Sequence, residues 1–168
     1  GTTPEVKKMT YSDGEKKELT TVEIGKIAGP SVVGITTVIE TQAFNFFGQG
    51  GTQESSGSGS GIIITADGYI LTNNHVINGA KSIKVILNNS KEYDAKLIGG
   101  DVKTDIAVLK IEEKDLNAAT LGDSDLLEAG EKVVAIGNPL GQELAGSLTQ
   151  GIISALNRTL TVDDVTYK

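Results

Sequence analysis

Short apolar runs rich in Val, Ile and Thr recur along this chain and alternate with residues that favour turns. The earlier runs lie at residues 31–39, 62–64, 69–71, 83–87 and 93–97. Asp67-Gly68 separates two of them and predicts a tight hairpin turn. In the later runs apolar and polar residues alternate, as they do in strands that bury one face. The pattern therefore predicts an all-β protein.

The apolar run at residues 106–111 differs from the others because it hardly alternates. Strands buried on both faces have this pattern, so we expect a central strand there. About six short strands would leave unpaired edges unless their sheet closed on itself. We therefore predict a closed or nearly closed antiparallel barrel.

A second group of strands is predicted after residues 121–130, whose Gly, Asp and Ser residues break the strand pattern. The runs of this group lie at residues 132–136, 149–156 and 160–162. About three strands are too few to close a sheet, so this group looks unfinished. The predicted parts of the chain are a polar leader at 1–20, a first β-barrel at 21–120, a connection at 121–131 and the start of a second β-barrel at 132–168.

Two local patterns near the N-terminus fall outside this series of strands. Thr20 and Glu23 have the spacing of a capping box, and Gly29-Pro30 would end the short helix that they start. Residues 48–61 are rich in Gly and Ser, a composition typical of a mobile surface loop. The phenylalanines of the chain crowd just before this segment, where they could form a docking patch or pack on the core; they are Phe44, Phe46 and Phe47.

Composition excludes several classes of function. The chain has 15 basic and 22 acidic residues, a net charge of −7, and so lacks the clustered positive charge that nucleic-acid binding needs. The absence of cysteine and the presence of one histidine exclude disulfides, thiolate zinc sites and sites with two imidazoles. No apolar run approaches the ~20 residues of a membrane span. We expect no metal and no cofactor, and we expect Asp123 and Asp125 to form an Asx turn rather than a calcium site.

His75 and Asp105 are the two residues whose positions favour chemistry. His75 follows a predicted strand and precedes a turn, which places it at the rim of the barrel, where sites are commonly built. Asp105 directly precedes the apolar run at 106–111, and a carboxylate there needs hydrogen-bond donors. On these residues alone, His75 could be structural, and Asp105 could either cap the strand with Thr104 or accept the Nδ1–H of His75.

Five segments of the chain resemble the protease domain of the HtrA/DegP family and occur in that family's order. They contain Gly59-Ser60-Gly61, Thr72-Asn73-Asn74-His75-Val76, Asp105-Ile106-Ala107-Val108-Leu109-Lys110, Leu121-Gly122-Asp123-Ser124 and Gly137-Asn138-Pro139-Leu140-Gly141. The resemblance implies a trypsin-like double β-barrel in which His75 is the general base and Asp105 orients it. It also implies a serine endopeptidase of unfolded or damaged polypeptides. We therefore expect an extracytoplasmic homo-oligomer (a trimer in the family) with a downstream PDZ domain, whose parent could be membrane-anchored.

The chain departs from the family's pattern because it contains no Gly-Asn-Ser-Gly-Gly stretch, which holds the family's nucleophile. Structural roles are favoured for Ser58, Ser60 and Ser147. Loss of the nucleophile costs on the order of a millionfold in turnover. We therefore expect a segment that ends before the serine and is inactive alone, and that associates with itself or with the missing C-terminal half. The alternative is a non-catalytic β-barrel binding or scaffold module that has lost the protease chemistry.

Overall fold

The fold is seen in a computed structural model that describes residues 4–8, 18–44, 50–138, 146–156, 160–162 and 165–167. Strands predominate among these residues, as the sequence predicts. The helices are α1 (Thr21–Ala28) and α2 (Asn74–Ile77). The strands are β1 (Val32–Phe44), β2 (Gly50–Ile63), β3 (Tyr69–Asn73), β4 (Ser82–Ile86), β5 (Glu92–Asp94), β6 (Lys96–Asp101), β7 (Ile106–Lys110), β8 (Lys132–Gly137), β9 (Ser147–Ile152), β10 (Leu160–Val162) and β11 (Val165–Tyr167).

The first seven strands form one antiparallel sheet in the order β5-β4-β1-β2-β3-β7-β6. The two strands at opposite ends of this order, β5 and β6, are consecutive in the chain and are separated only by Ala95. The backbone N–H of Ala95 donates to the carbonyl of Ile83 at 2.9 Å, which fixes this corner. Because one stretch of chain pairs with β4 and then with β7, the sheet curls back on itself. The predicted antiparallel barrel is confirmed.

The hydrophobic core lies inside this curled sheet. Its fully buried side chains include Val33, Ile35, Ile70 and Leu109. The prediction that the strand at residues 106–111 is buried on both faces is wrong: in β7 buried residues alternate with partly exposed ones, and Ile106 is 49 % exposed. The reason is that a curled sheet has one interior, so even a strongly apolar strand buries only alternate side chains in it.

The Gly- and Ser-rich segment is a strand, not the predicted mobile loop, over residues 50–61. These residues belong to β2, which pairs with β1 over residues 50–62. From Gly57 to Gly61 glycines alternate with serines and face inward. A β-carbon there would be 2.7 Å from Thr37 Oγ1 at Gly57 and 2.6 Å from Val76 Cγ1 at Gly59. The segment therefore has the period of two of a strand, with glycine where neighbouring side chains already fill the space.

Helix α1 confirms the predicted capping box. The backbone N–H of Glu23 donates to Thr20 Oγ1 at 3.3 Å, and the backbone N–H of Thr20 donates to Glu23 Oε2 at 2.8 Å. The helix ends at Ala28, directly before Gly29-Pro30. The neighbouring hypothesis of a phenylalanine docking patch concerns side chains outside the described part of the structure, those of Phe44, Phe46 and Phe47.

The C-terminal strands form two further antiparallel pairs, β8 with β9 and β10 with β11. The described residues after 131 thus form four strands where about three were predicted, and β9 starts and ends earlier than the predicted run at residues 149–156. The connection before β8 contains the predicted Asx turn, in which the N–H of Asp125 donates to Asp123 Oδ1 at 3.0 Å. Asn138, which follows β8, donates its backbone N–H to Ser60 Oγ at 2.7 Å and so joins this pair to the large sheet.

Candidate active site

The pairing of β3 with β7 brings His75 and Asp105 together although they lie thirty positions apart. In this register Asn73 is opposite Ile106, so the residues that follow Asn73 meet the residue that precedes Ile106. The backbone N–H of Asn74 donates to the carbonyl of Asp105 at 3.0 Å and continues the pairing by one step. His75, in the first turn of α2, therefore lies directly over Asp105.

The Asp105 carboxylate accepts three hydrogen bonds from the segment that carries His75. Oδ2 lies 2.7 Å from His75 Nδ1 and 3.1 Å from Asn73 Nδ2. Oδ1 accepts the backbone N–H of His75 at 2.8 Å. The contact considered in the sequence analysis, between the imidazole and this carboxylate, is thus present. The amide of Asn73 was not anticipated there, although two adjacent asparagines at the end of a strand were a visible signal.

The backbone of Asp105 adopts a left-handed conformation, with φ of 54°. Such a conformation is uncommon for a residue with a side chain and requires support from the surrounding structure. The preceding turn supplies part of it, because Asp101 accepts hydrogen bonds from the backbone N–H groups of Lys103 and Thr104, each at 3.2 Å, and from the Thr104 hydroxyl at 2.8 Å. Thr104 therefore bonds to Asp101 rather than capping the strand with Asp105.

These donors keep the Asp105 carboxyl group ionised. The backbone hydrogen bond from His75 is the main reason why the pKa of Asp105 lies below its ordinary value. The His75 imidazole and the Asn73 amide lower this pKa further, whereas partial burial raises it. An ionised carboxylate can only accept hydrogen bonds, so Nδ1 of His75 must be the donor. In the neutral ring this leaves Nε2 with a lone pair that can accept a proton.

The imidazole is accessible, whereas the carboxylate is sheltered. The His75 side chain is 72 % exposed and that of Asp105 is 25 % exposed. A cavity of about 250 Å³ lies next to the pair, lined by Asn73 and by apolar side chains that include Leu71 and Ile106. A larger cavity of about 340 Å³ lies between α1 and β8 and contains neither His75 nor Asp105. The arrangement therefore presents a proton acceptor to molecules that enter from solvent.

The serines considered as nucleophiles lie on other elements. Ser58 is exposed on β2, Ser147 is opposite Gly137 at the start of β9, and the hydroxyl of Ser60 accepts the backbone N–H of Asn138.

Within the described ranges no three His, Asp or Glu side chains cluster as metal ligands would. No helix in the described part of the chain is long and apolar enough to cross a membrane. Among the described residues, the candidate for catalysis is therefore the His75–Asp105 pair.

Residues 59–167 match the family described as trypsin-like peptidase domain. The solved structure of the HtrA-type protease AlgW with a decapeptide superimposes with a TM-score of 0.66 at 38 % identity, over 82 % of this chain and 46 % of that chain. The fold and the sequence thus define a trypsin-like peptidase domain.

Two relatives show which family of trypsin-like peptidases the chain resembles. Serine protease Do-like HtrB of Bacillus subtilis is 51 % identical over 141 residues, which cover 80 % of this chain. The probable periplasmic serine endoprotease DegP-like of Halomonas elongata is 53 % identical over 115 residues, or 68 % of this chain. The chain belongs to the HtrA/DegP family of trypsin-like peptidases. It spans 31 % of the length of the first relative and 24 % of the second.

Proposed function

We propose that this chain supplies the general base and its orienting carboxylate to an HtrA-like serine endopeptidase. The observation that carries the proposal is the 2.7 Å contact between His75 Nδ1 and Asp105 Oδ2, beside an exposed imidazole. With Nδ1–H donated to Asp105, Nε2 of His75 takes the proton of a serine hydroxyl as that oxygen attacks a peptide carbonyl, and then returns it to the leaving amine. Asp105 remains ionised and stabilises the imidazolium.

The 168 residues contain no Gly-Asn-Ser-Gly-Gly stretch, so we propose that they do not hydrolyse peptides by themselves. A donor of the oxyanion hole contributes roughly 3 kcal/mol, and loss of the nucleophile removes on the order of a millionfold in turnover. We further propose a first barrel over residues 21–120, a connection over 121–131 and the beginning of a second barrel over 132–168. This division is supported because β1 to β7 share one sheet and β8 to β11 do not belong to it.

The substrates we propose are polypeptides, particularly unfolded or damaged ones, in an extracytoplasmic compartment. The support is that the AlgW structure contains a decapeptide and that the Halomonas relative is named periplasmic.

We also propose that the chain associates with itself or with the rest of a protease domain. Ile62 and Ile106, which line the cavity beside the site, are 44 % and 49 % exposed and would be covered by such a contact. Light scattering would show this association, and a strictly monomeric sample at high concentration would contradict it.

A chimera tests the proposed chemistry. Residues 59–138 replace the matching segment of the Bacillus HtrB protease, which is 51 % identical to this chain over 141 residues. Cleavage of unfolded casein should be retained, His75→Ala should lower it by on the order of a millionfold, and Asp105→Asn by about ten thousandfold. Asn78→Ala, at the exposed far end of α2, is the matched control and should leave it unchanged. An active chimera that tolerates His75→Ala would refute the assignment, and a folded but inactive chimera would favour the scaffold alternative.

A further inference from the structure

We infer that Asn73 is a positioning residue, whose side-chain amide holds the Asp105 carboxylate in the orientation that contacts His75. The inference rests on the proposed function. Asn73 Nδ2 lies 3.1 Å from Asp105 Oδ2 and 3.3 Å from the carbonyl oxygen of Asp105, so one amide group reaches both the side chain and the backbone of the same residue.

The carboxylate needs this second contact because its terminal torsion has a broad energy minimum. The backbone N–H of His75 holds Oδ1, and that bond alone defines one point about which the carboxylate can turn. Oδ2 is shared by the Asn73 amide and the imidazole. The imidazole ring is 72 % exposed and makes one contact with Asp105, whereas the Asn73 amide contacts both Oδ2 and the carbonyl oxygen of Asp105, so the ring is the weaker anchor. Asn73 therefore keeps Oδ2 in place when the ring moves.

The helix cap supplies an independent argument. Asn73 is the N-cap of α2, a position at which asparagine usually accepts a hydrogen bond from the first turn of its own helix. Its side chain makes no such bond here. Asp105 accepts the N–H groups of that turn instead, that of Asn74 at its carbonyl and that of His75 at Oδ1. Because Asp105, the residue before β7, caps the helix, the Asn73 side chain does not have to turn its Oδ1 toward the first turn, and its Nδ2 amide group donates to Asp105.

Nitrogen-15 NMR of the imidazole tests the inference on the 168-residue chain, in which His75 is the sole histidine and gives one unambiguous set of signals. At a pH where the ring is neutral, the unmodified chain should show the proton on Nδ1. Asn73→Ser keeps a good N-cap residue but removes the amide, and it should move the tautomer balance at least halfway toward that of Asp105→Asn. Asn78→Ser, at the other end of α2, is the control and should match the unmodified chain.

Asn73→Asp is the second variant, because it keeps the shape of the side chain and replaces its donor by a like charge. It should displace the tautomer further than Asn73→Ser and raise the pKa of Asp105. Introduced into the protease chimera, Asn73→Ser should lower the turnover number by roughly tenfold, with KM unchanged, as expected for a lost hydrogen bond to a charged group. If Asp105→Asn changes the spectrum and both Asn73 variants do not, Asn73 is not a positioning residue. If Asp105→Asn has no effect either, the proposed His75–Asp105 pair is refuted as well.

Discussion

Replacing Gly59 by alanine would place a methyl group against the helix that carries His75. The new β-carbon would lie 2.6 and 2.8 Å from the two γ-carbons of Val76, where an ordinary contact is 3.4–4 Å. Val76 is β-branched and cannot easily turn its methyl groups away, so α2 itself must move. Overpacking of this kind costs about 1–3 kcal/mol. Contacts this short lie in the upper part of that range, and alanine recovers roughly 0.5–1 kcal/mol relative to glycine in a strand, so the expected loss is about 1–2 kcal/mol.

Urea unfolding followed by circular dichroism measures this loss. With a slope of about 2 kcal/mol per molar, the midpoint of Gly59→Ala should fall by roughly 0.5–1 M. Gly99→Ala, on β6, meets no atom within 4 Å and is the matched control, expected within about 0.5 kcal/mol of the unmodified chain. Val76→Ala should relieve the clash, so the double variant should be more stable than the sum of the single losses by about 1 kcal/mol or more. Strict additivity of Gly59→Ala and Val76→Ala would refute the packing argument.

Three other changes have defined outcomes. Gly68→Ala should cost roughly 2–5 kcal/mol in thermal unfolding, because φ is 102° and the new β-carbon would lie 2.4 Å from the carbonyl oxygen of Ile111; an unchanged melting temperature would contradict this. The pKa of Asp105 is lower in the folded chain than in the unfolded one, so its stabilisation is present above about pH 4 and is lost as pH falls further. Asp105→Asn should therefore flatten the acid limb of the stability curve, and parallel curves would count against the site geometry. Tyr93→Phe should remove the late part of the ultraviolet titration, because the hydrogen bond to Glu113 raises the pKa of Tyr93. A loss of amplitude only where ordinary tyrosines titrate would show that this bond is absent.

Local chemistry made much of the first sheet predictable from the sequence. The Asp67-Gly68 turn lies between β2 and β3, and the alternating apolar residues of β4 face the core as expected. The pairing of residues 73 and 106 could not be read from either segment, since register between distant strands depends on the whole sheet. The sequence therefore pointed to His75 and Asp105 separately, and the family resemblance, not the residues alone, joined them.

Predictions made from composition alone were wrong for β2 and for β7, because tertiary packing determines the structure of both strands. A run of Gly and Ser has low strand propensity, yet in β2 the missing side chains are compensated by Thr37 and Val76, which fill the space from other elements. The apolar run of β7 predicted too much burial, because Ile106 faces the cavity beside the site rather than the core. Asn73 was overlooked because an N-cap asparagine has an ordinary local role, and only the distant carboxylate changes it.

The corner at Ala95 couples the unfolding of the two halves of the large sheet. Residues 92–101 form a single ribbon that pairs first with β4 and then with β7, so neither half can separate from its neighbours without disturbing the ribbon that it shares with the other. Amide protons in β4 and β7 should therefore exchange with deuterium through one cooperative opening rather than two. Since β7 begins at the residue after Asp105, the stability of the site depends on the hydrogen bonds of the Ala95 corner as well as on its own.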